Sequence, residues 1–167
     1  MDDMTDISFK TKGAEPILIA VDFSSDSEAA FIWGVKQAAL ISAPIIVLHV
    51  VHDPAEKPGF YNKLGQSALL PLEEVALEKM EAFIQMASKA YAELDNAPII
   101  DKKFVAGLPA GRIIEVADHE NAQLIVIGTR GRSGLSNLLL GSVATHVLQG
   151  SKVPVVVVKS DQPKQPD

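Results

Sequence analysis

The sequence predicts an α/β protein: a doubly wound parallel sheet of five strands with helices on both faces, of the Rossmann-like kind. Three observations predict it. Five short apolar, β-branched runs alternate with longer segments of helical pattern. The runs lack the apolar–polar alternation of a half-exposed strand, except weakly the third, and strands covered on both faces read this way. The 167 residues, 47% hydrophobic and 22% charged, are enough for one domain with an ordinary core.

The first run is 16–21 (PILIAV). Ser25-Asp26-Ser27-Glu28 follows and reads as a capping box, with Ser25 as N-cap and Glu28 reaching back. The helix it opens extends to about Leu40, with Ala30, Trp33 and Ile41 as apolar positions. The second run is 44–51 (PIIVLHVV). A second helix is expected over 71–94, because Met80, Phe83, Ala87, Ala90 and Leu94 form one apolar face. The third run is 99–105, and a short helix after Pro109 turns Ala110, Ile113 and Ala117 inward. The fourth run is 124–127 (LIVI), followed by a helix from Ser142 that stops at Gly150, a suitable C′ residue. The last run is 153–158 (VPVVVV). Right-handed crossovers turn this order into an open, doubly wound sheet. The domain is expected over 16–159, with 1–15 and 160–167 as disordered tails. Residues 52–70 form the one long loop, of a length that goes with function or mobility.

Composition excludes several classes. There is no cysteine, hence no disulfide, no cysteine-ligated zinc and no thiol nucleophile. A net charge of −6 is unsuited to wrapping nucleic acid, which is bound by neutralising phosphates. Residues 1–15 are polar and acidic without an apolar core, unlike a secretory signal. The apolar runs are far too short to span a membrane. A soluble, cytoplasmic protein is expected.

In a doubly wound sheet, ligands bind beyond the carboxyl ends of the strands. After the fourth run comes Gly128-Thr129-Arg130-Gly131-Arg132-Ser133-Gly134. Glycines at three-residue spacing leave amides unshielded and suit an anion nest. Gly141-Ser142 then opens a helix whose free N–H groups favour phosphate, and Ser142 adds a hydroxyl. Arg130 and Arg132 bring positive charge to the loop. Asp22, after the first run, suits a ribose hydroxyl; alternatively it is a plain helix-entry residue. The loop is neither a Walker A motif nor G-x-G-x-x-G, and Ser133 fails the G-x-S-x-G elbow. No catalytic residue is assigned. His49 and His52 point to opposite faces of a strand, and no metal site is assigned to them.

The spacing Gly128, two residues, Gly131, nine residues, Gly141-Ser142 resembles the signature of the ATP-binding branch of the universal stress protein (UspA-like) family. Residues 17–27 (ILIAVDFSSDS), 48–51 (LHVV) and 154–158 (PVVVV) look like its first strand and turn, its second strand and its last strand. The resemblance implies a sheet of order 3-2-1-4-5. It implies that Ala20, Val21 and Asp22 line the adenosine, with Asp22 on the ribose and Val50 holding the adenine through its backbone. Ile127, Gly128, Arg130 and Gly131 would line the phosphate side, capped by Gly141, Ser142 and Val143. Ala144 stands where some members carry a hydroxyl. The implied ligand is ATP, or ADP or AMP, with magnesium held largely by the phosphate oxygens. The implied assembly is a homodimer through residues 153–158, with a protein partner the sequence does not name.

These expectations combine into a cytoplasmic, nucleotide-dependent stress-response regulator or sensor. The alternative is a slow ATPase or nucleotidyl-transfer enzyme on the same site, acting by phosphate positioning alone. A flavodoxin-like electron carrier and an interaction protein with a silent site are further uses of the same architecture.

Overall fold

Each apolar run becomes a strand, and each segment of helical pattern a helix. The computed structural model describes residues 14–51, 70–92, 94, 96–130 and 140–161. Along these the order is β1 (Ile17–Ala20), α1 (Ser25–Ile41), β2 (Ile45–Val51), α2 (Leu70–Ser88), β3 (Ile100–Ala106), α3 (Pro109–His119), β4 (Leu124–Gly128), α4 (Ser142–Gly150) and β5 (Val155–Val158). The strands pair in parallel in the order β3-β2-β1-β4-β5. This is the expected doubly wound sheet. Among the described residues no helix is long and apolar enough to cross a membrane.

The core lies in two layers, one on each face of the sheet. Successive strand side chains point to opposite faces, so Ile17 and Ile19 enter one layer while Leu18 and Ala20 enter the other. This is why β1 reads as an unbroken apolar run. The first layer packs under α1 and α2 and holds the rings: Phe31 meets Phe83 and Tyr91, and Phe23 meets Phe83 and His49. The second packs under α3 and α4 and is wholly aliphatic among the described residues. Burying a side chain such as Phe31 or Ile125 contributes about 1.5–3 kcal/mol.

Three local expectations are corrected. The N-cap of α1 is Ser24, not Ser25: the Ser24 hydroxyl accepts from the Ser27 amide at 3.2 Å. The cause is Phe23, whose left-handed φ of 65° ends the strand connection one residue early while its ring packs on Phe83. α2 ends at Ser88 rather than Leu94. Beyond it Tyr91 and Leu94 still pack on the core, but through tight turns. Gly150 is the last helical residue rather than a left-handed C′, and the cap, Ser151, is extended. Small size is needed at Gly150 because a Cβ there would lie 2.9 Å from Ile114 Cδ1.

Residues 1–13 and 162–167 of the expected tails lie outside the described residues, as do 52–69 of the long loop. Ala14 packs against the first core layer, and Ser160, expected to begin a tail, is buried.

Candidate functional site

The strand order reverses at β1, which lies between β2 and β4. The connections from β1 and β4 diverge to opposite faces, and a crevice is left between them at the carboxyl ends. It holds a cavity of about 220 Å³. β1 contributes Ala20 and, just beyond its end, Val21 and Asp22; β2 contributes Leu48 and Val50. β4 and its exit contribute Ile127, Gly128, Thr129 and Arg130. The far wall is Pro109 and Ile113 of α3, with Gly141, Ser142, Val143 and Ala144 at the start of α4.

Every site residue expected from the sequence therefore lines one cavity, except Gly131, which lies outside the described residues with Arg132 and Ser133. Leu48, Ser27, Pro109, Ile113 and Thr129 also line it and were not expected. Ala144 is buried against the second core layer and forms a smooth part of the wall.

Two helix starts meet this cavity in different states. α1 begins with its own cap, Ser24, and carries Asp26 and Glu28 in its first turn. α4 begins at Gly141, which has no side-chain acceptor, and its first turn carries no acid. The Gly141 amide is used, donating to Thr129 O at 2.7 Å and docking α4 onto the exit of β4. The following amides have no side-chain cap, and the positive end of the helix dipole lies beside Ser142 and Val143 on the cavity wall. This is where a phosphate or other anion fits. Ala20, Val21, Leu48, Val50, Ile113 and Ile127 give the wall an aliphatic part, which suits an apolar ring.

Asp22 is held by the helix entry. Its Oδ1 accepts from the Ser24 amide at 3.1 Å and from the Ser24 hydroxyl. The alternative role, that of a helix-entry residue, is thus filled, and the carboxylate also borders the cavity. The His49 Nδ1–H donates to Val21 O at 2.8 Å, and the ring leans on Phe23 with centroids 4.5 Å apart. His49 serves packing at the rim. His52 lies outside the described residues, among which no group of three metal-ligating side chains gathers.

Behind the cavity wall, sequence reasoning also missed Asp26. It is 4% exposed. Its Oδ1 accepts from Ser160 N at 3.2 Å and Ser160 Oγ at 2.6 Å. Its Oδ2 accepts from the Thr129 hydroxyl, from Arg130 N at 3.1 Å and from Arg130 Nε at 3.4 Å. Burial pushes its carboxyl up, but the hydrogen bonds from Ser160 and Thr129 and the Arg130 charge outweigh that and hold it below the usual carboxylate range. One signal was present in the sequence: Asp26, Ala30 and Gly34 recur every four residues on the face of α1 that meets the sheet.

Gly128 has a structural duty beside the one expected of it. A Cβ there would stand 2.7 Å from the carbonyl carbon of Asp26 and 2.9 Å from Ser27 N. The first turn of α1 crosses the end of β4 at a separation only glycine permits.

A family model described as the Universal stress protein family matches residues 13–159. A universal stress protein of Mycobacterium tuberculosis is 28% identical over 159 residues, 95% of this chain and 52% of that protein. The chain thus spans about half the length of that relative. Among solved structures, the universal stress protein UspA from Lactobacillus plantarum superposes with a TM-score of 0.71 at 23% identity, over 89% of this chain and 99% of that one. A universal stress protein in complex with cAMP gives 0.60 at 24% identity, covering 88% and 98%. One from Archaeoglobus fulgidus in complex with dAMP gives 0.58 at 21% identity, covering 87% and 98%.

Proposed function

The chain belongs to the universal stress protein family, and we propose that it is an ATP-binding member acting as a nucleotide-dependent stress-response regulator or sensor. The observation that carries this is the cavity itself. Residues from β1, β2, β4 and α4 that the glycine-spacing resemblance selects in the sequence converge on one crevice. Its aliphatic half suits adenine, Asp22 borders it where a ribose is expected, and the open start of α4 with Arg130 suits phosphates. The cAMP and dAMP complexes of structurally similar proteins support an adenine nucleotide as the class.

Magnesium would enter with the triphosphate, carried by its oxygens. We propose further that two copies associate through β5, an edge strand of the sheet, in the cytoplasm. A ligand regulates such a protein by binding one conformation better than another.

The test is what the purified protein carries. Denaturation followed by chromatography and mass measurement should release an adenosine phosphate near one equivalent, or MgATP should bind on titration. A protein that comes out empty and gives no titration heat with MgATP, ADP or AMP sinks the proposal.

A further inference from the structure

Among the described residues Asp26 is the only acid buried in the fold. A buried carboxylate is tolerated only where donors surround it. The donors around Asp26 divide by oxygen: Ser160 at Oδ1, Thr129 and Arg130 at Oδ2. The Oδ2 set grips Arg130 twice, at its backbone amide and at the Nε edge of its guanidinium. A guanidinium is a rigid fork of five donors, so a contact at the Nε edge limits where its terminal nitrogens can point. No described residue accepts from its terminal nitrogens, and Arg130 lines the cavity.

We infer that Asp26 is a positioning residue for the anionic part of the guest, holding Arg130 so that its terminal nitrogens meet a phosphate at the cavity rim. The inference rests on the nucleotide-site proposal above. Two effects of opposite sign are in play. A side chain already fixed loses less freedom when the guest arrives. The negative charge of Asp26, behind the guanidinium, also repels a phosphate. Positioning dominates here, because the carboxylate is already shared among donors from Ser160, Thr129 and Arg130, and Asp26, unlike Arg130, does not line the cavity.

The experiment compares MgATP with adenosine, which lacks the phosphates, by titration calorimetry on the wild type, Asp26→Asn, Arg130→Lys and the double variant. In Asp26→Asn an amide NH₂ replaces one acceptor of converging donors, and MgATP should bind about tenfold more weakly. Adenosine should stay within about twofold of the wild type. Arg130→Lys keeps the charge but loses the fork, and should show the same selective loss. The double variant should lose no more than either single one, because both changes remove one held contact.

Tighter MgATP binding by Asp26→Asn overturns the inference and makes Asp26 a screen of the Arg130 charge. Equal loss for MgATP and adenosine, or additive losses in the double variant, overturns it too. A readout free of nucleotide runs beside these: the Arg130 Nε–H should give a slowly exchanging NMR signal that Asp26→Asn removes. Fast exchange at that proton in the wild type overturns the inference even if Asp26→Asn does not fold. A wild type that shows the slow signal but binds neither MgATP nor adenosine overturns the nucleotide site instead.

Discussion

A Cβ on Gly128 would stand 2.7 Å from the carbonyl carbon of Asp26. The nearest atoms are the backbone of α1, which cannot swing aside as a flexible side chain does. Gly128→Ala should therefore lower stability by about 1–3 kcal/mol through overpacking alone. Urea unfolding of the nucleotide-free protein checks this. A change under half a kilocalorie would mean that α1 is not seated on β4 as described. It follows that loss of nucleotide in a Gly128→Val variant does not isolate a phosphate contact, since the same change dislodges α1.

Asp26 sets an acid limit on stability. Its folded carboxyl sits below its ordinary value, so the unfolded chain takes up the proton first as pH falls. The stabilisation is fully present above the unfolded value of about 4 and is lost as pH drops through the folded one. The stability gap between the wild type and Asp26→Asn should be widest near neutrality and shrink below about pH 4. Unfolding curves at stepped pH measure it. A gap that stays constant down to about pH 2 would remove Asp26 as its source.

Ser142 separates helix stability from anion binding. It is exposed, at the first position of α4, on the cavity wall. Ser142→Glu should stabilise the helix by about 0.3–1 kcal/mol through the dipole. The same charge should weaken MgATP by about tenfold or more and leave adenosine nearly unchanged. A variant that binds MgATP as tightly as the wild type would place the phosphates elsewhere.

β5 can be tested as a dimer seam at its free edge, where Val157 keeps part of its packing on the second core layer as proline. Ile125 N donates to Pro154 O, and Thr129 N to Val158 O. In a parallel ladder alternate residues face the partner strand, so the backbone of Val155 and Val157 faces the free edge. Val157→Pro removes an outward N–H, a change edge strands tolerate. The fold should survive, by circular dichroism, while sedimentation shifts from dimer to monomer. A dimer that persists has its seam on another surface.

The strands were legible because both-face burial leaves apolar runs with no competing pattern, as in Ile17–Ala20. The cavity wall was legible because a doubly wound sheet gathers its strand ends, so residues distant in sequence, Asp22, Val50 and Gly141, meet by topology. What the sequence hid was arbitrated by tertiary contact. Ser24 and Ser25 both suit an N-cap, and only the left-handed Phe23, held by Phe83, selects Ser24. The apolar stripe of α2 runs past its end because Leu94 stays on the core without staying helical. Asp26 reads as an ordinary first-turn acid, a partner for the helix dipole, until the exits of β4 and β5 close over it.

The division of the core into a ring-bearing and an aliphatic layer makes the described residues optically one-sided. Trp33, the chain's single tryptophan, packs with the first layer, and so does Tyr91. Among the described residues no chromophore reports from beneath α3 and α4. Tryptophan emission therefore watches α1 and is nearly blind to the half of the molecule that walls the cavity. Loosening of α3 and α4 would pass unseen by fluorescence and show first in amide exchange.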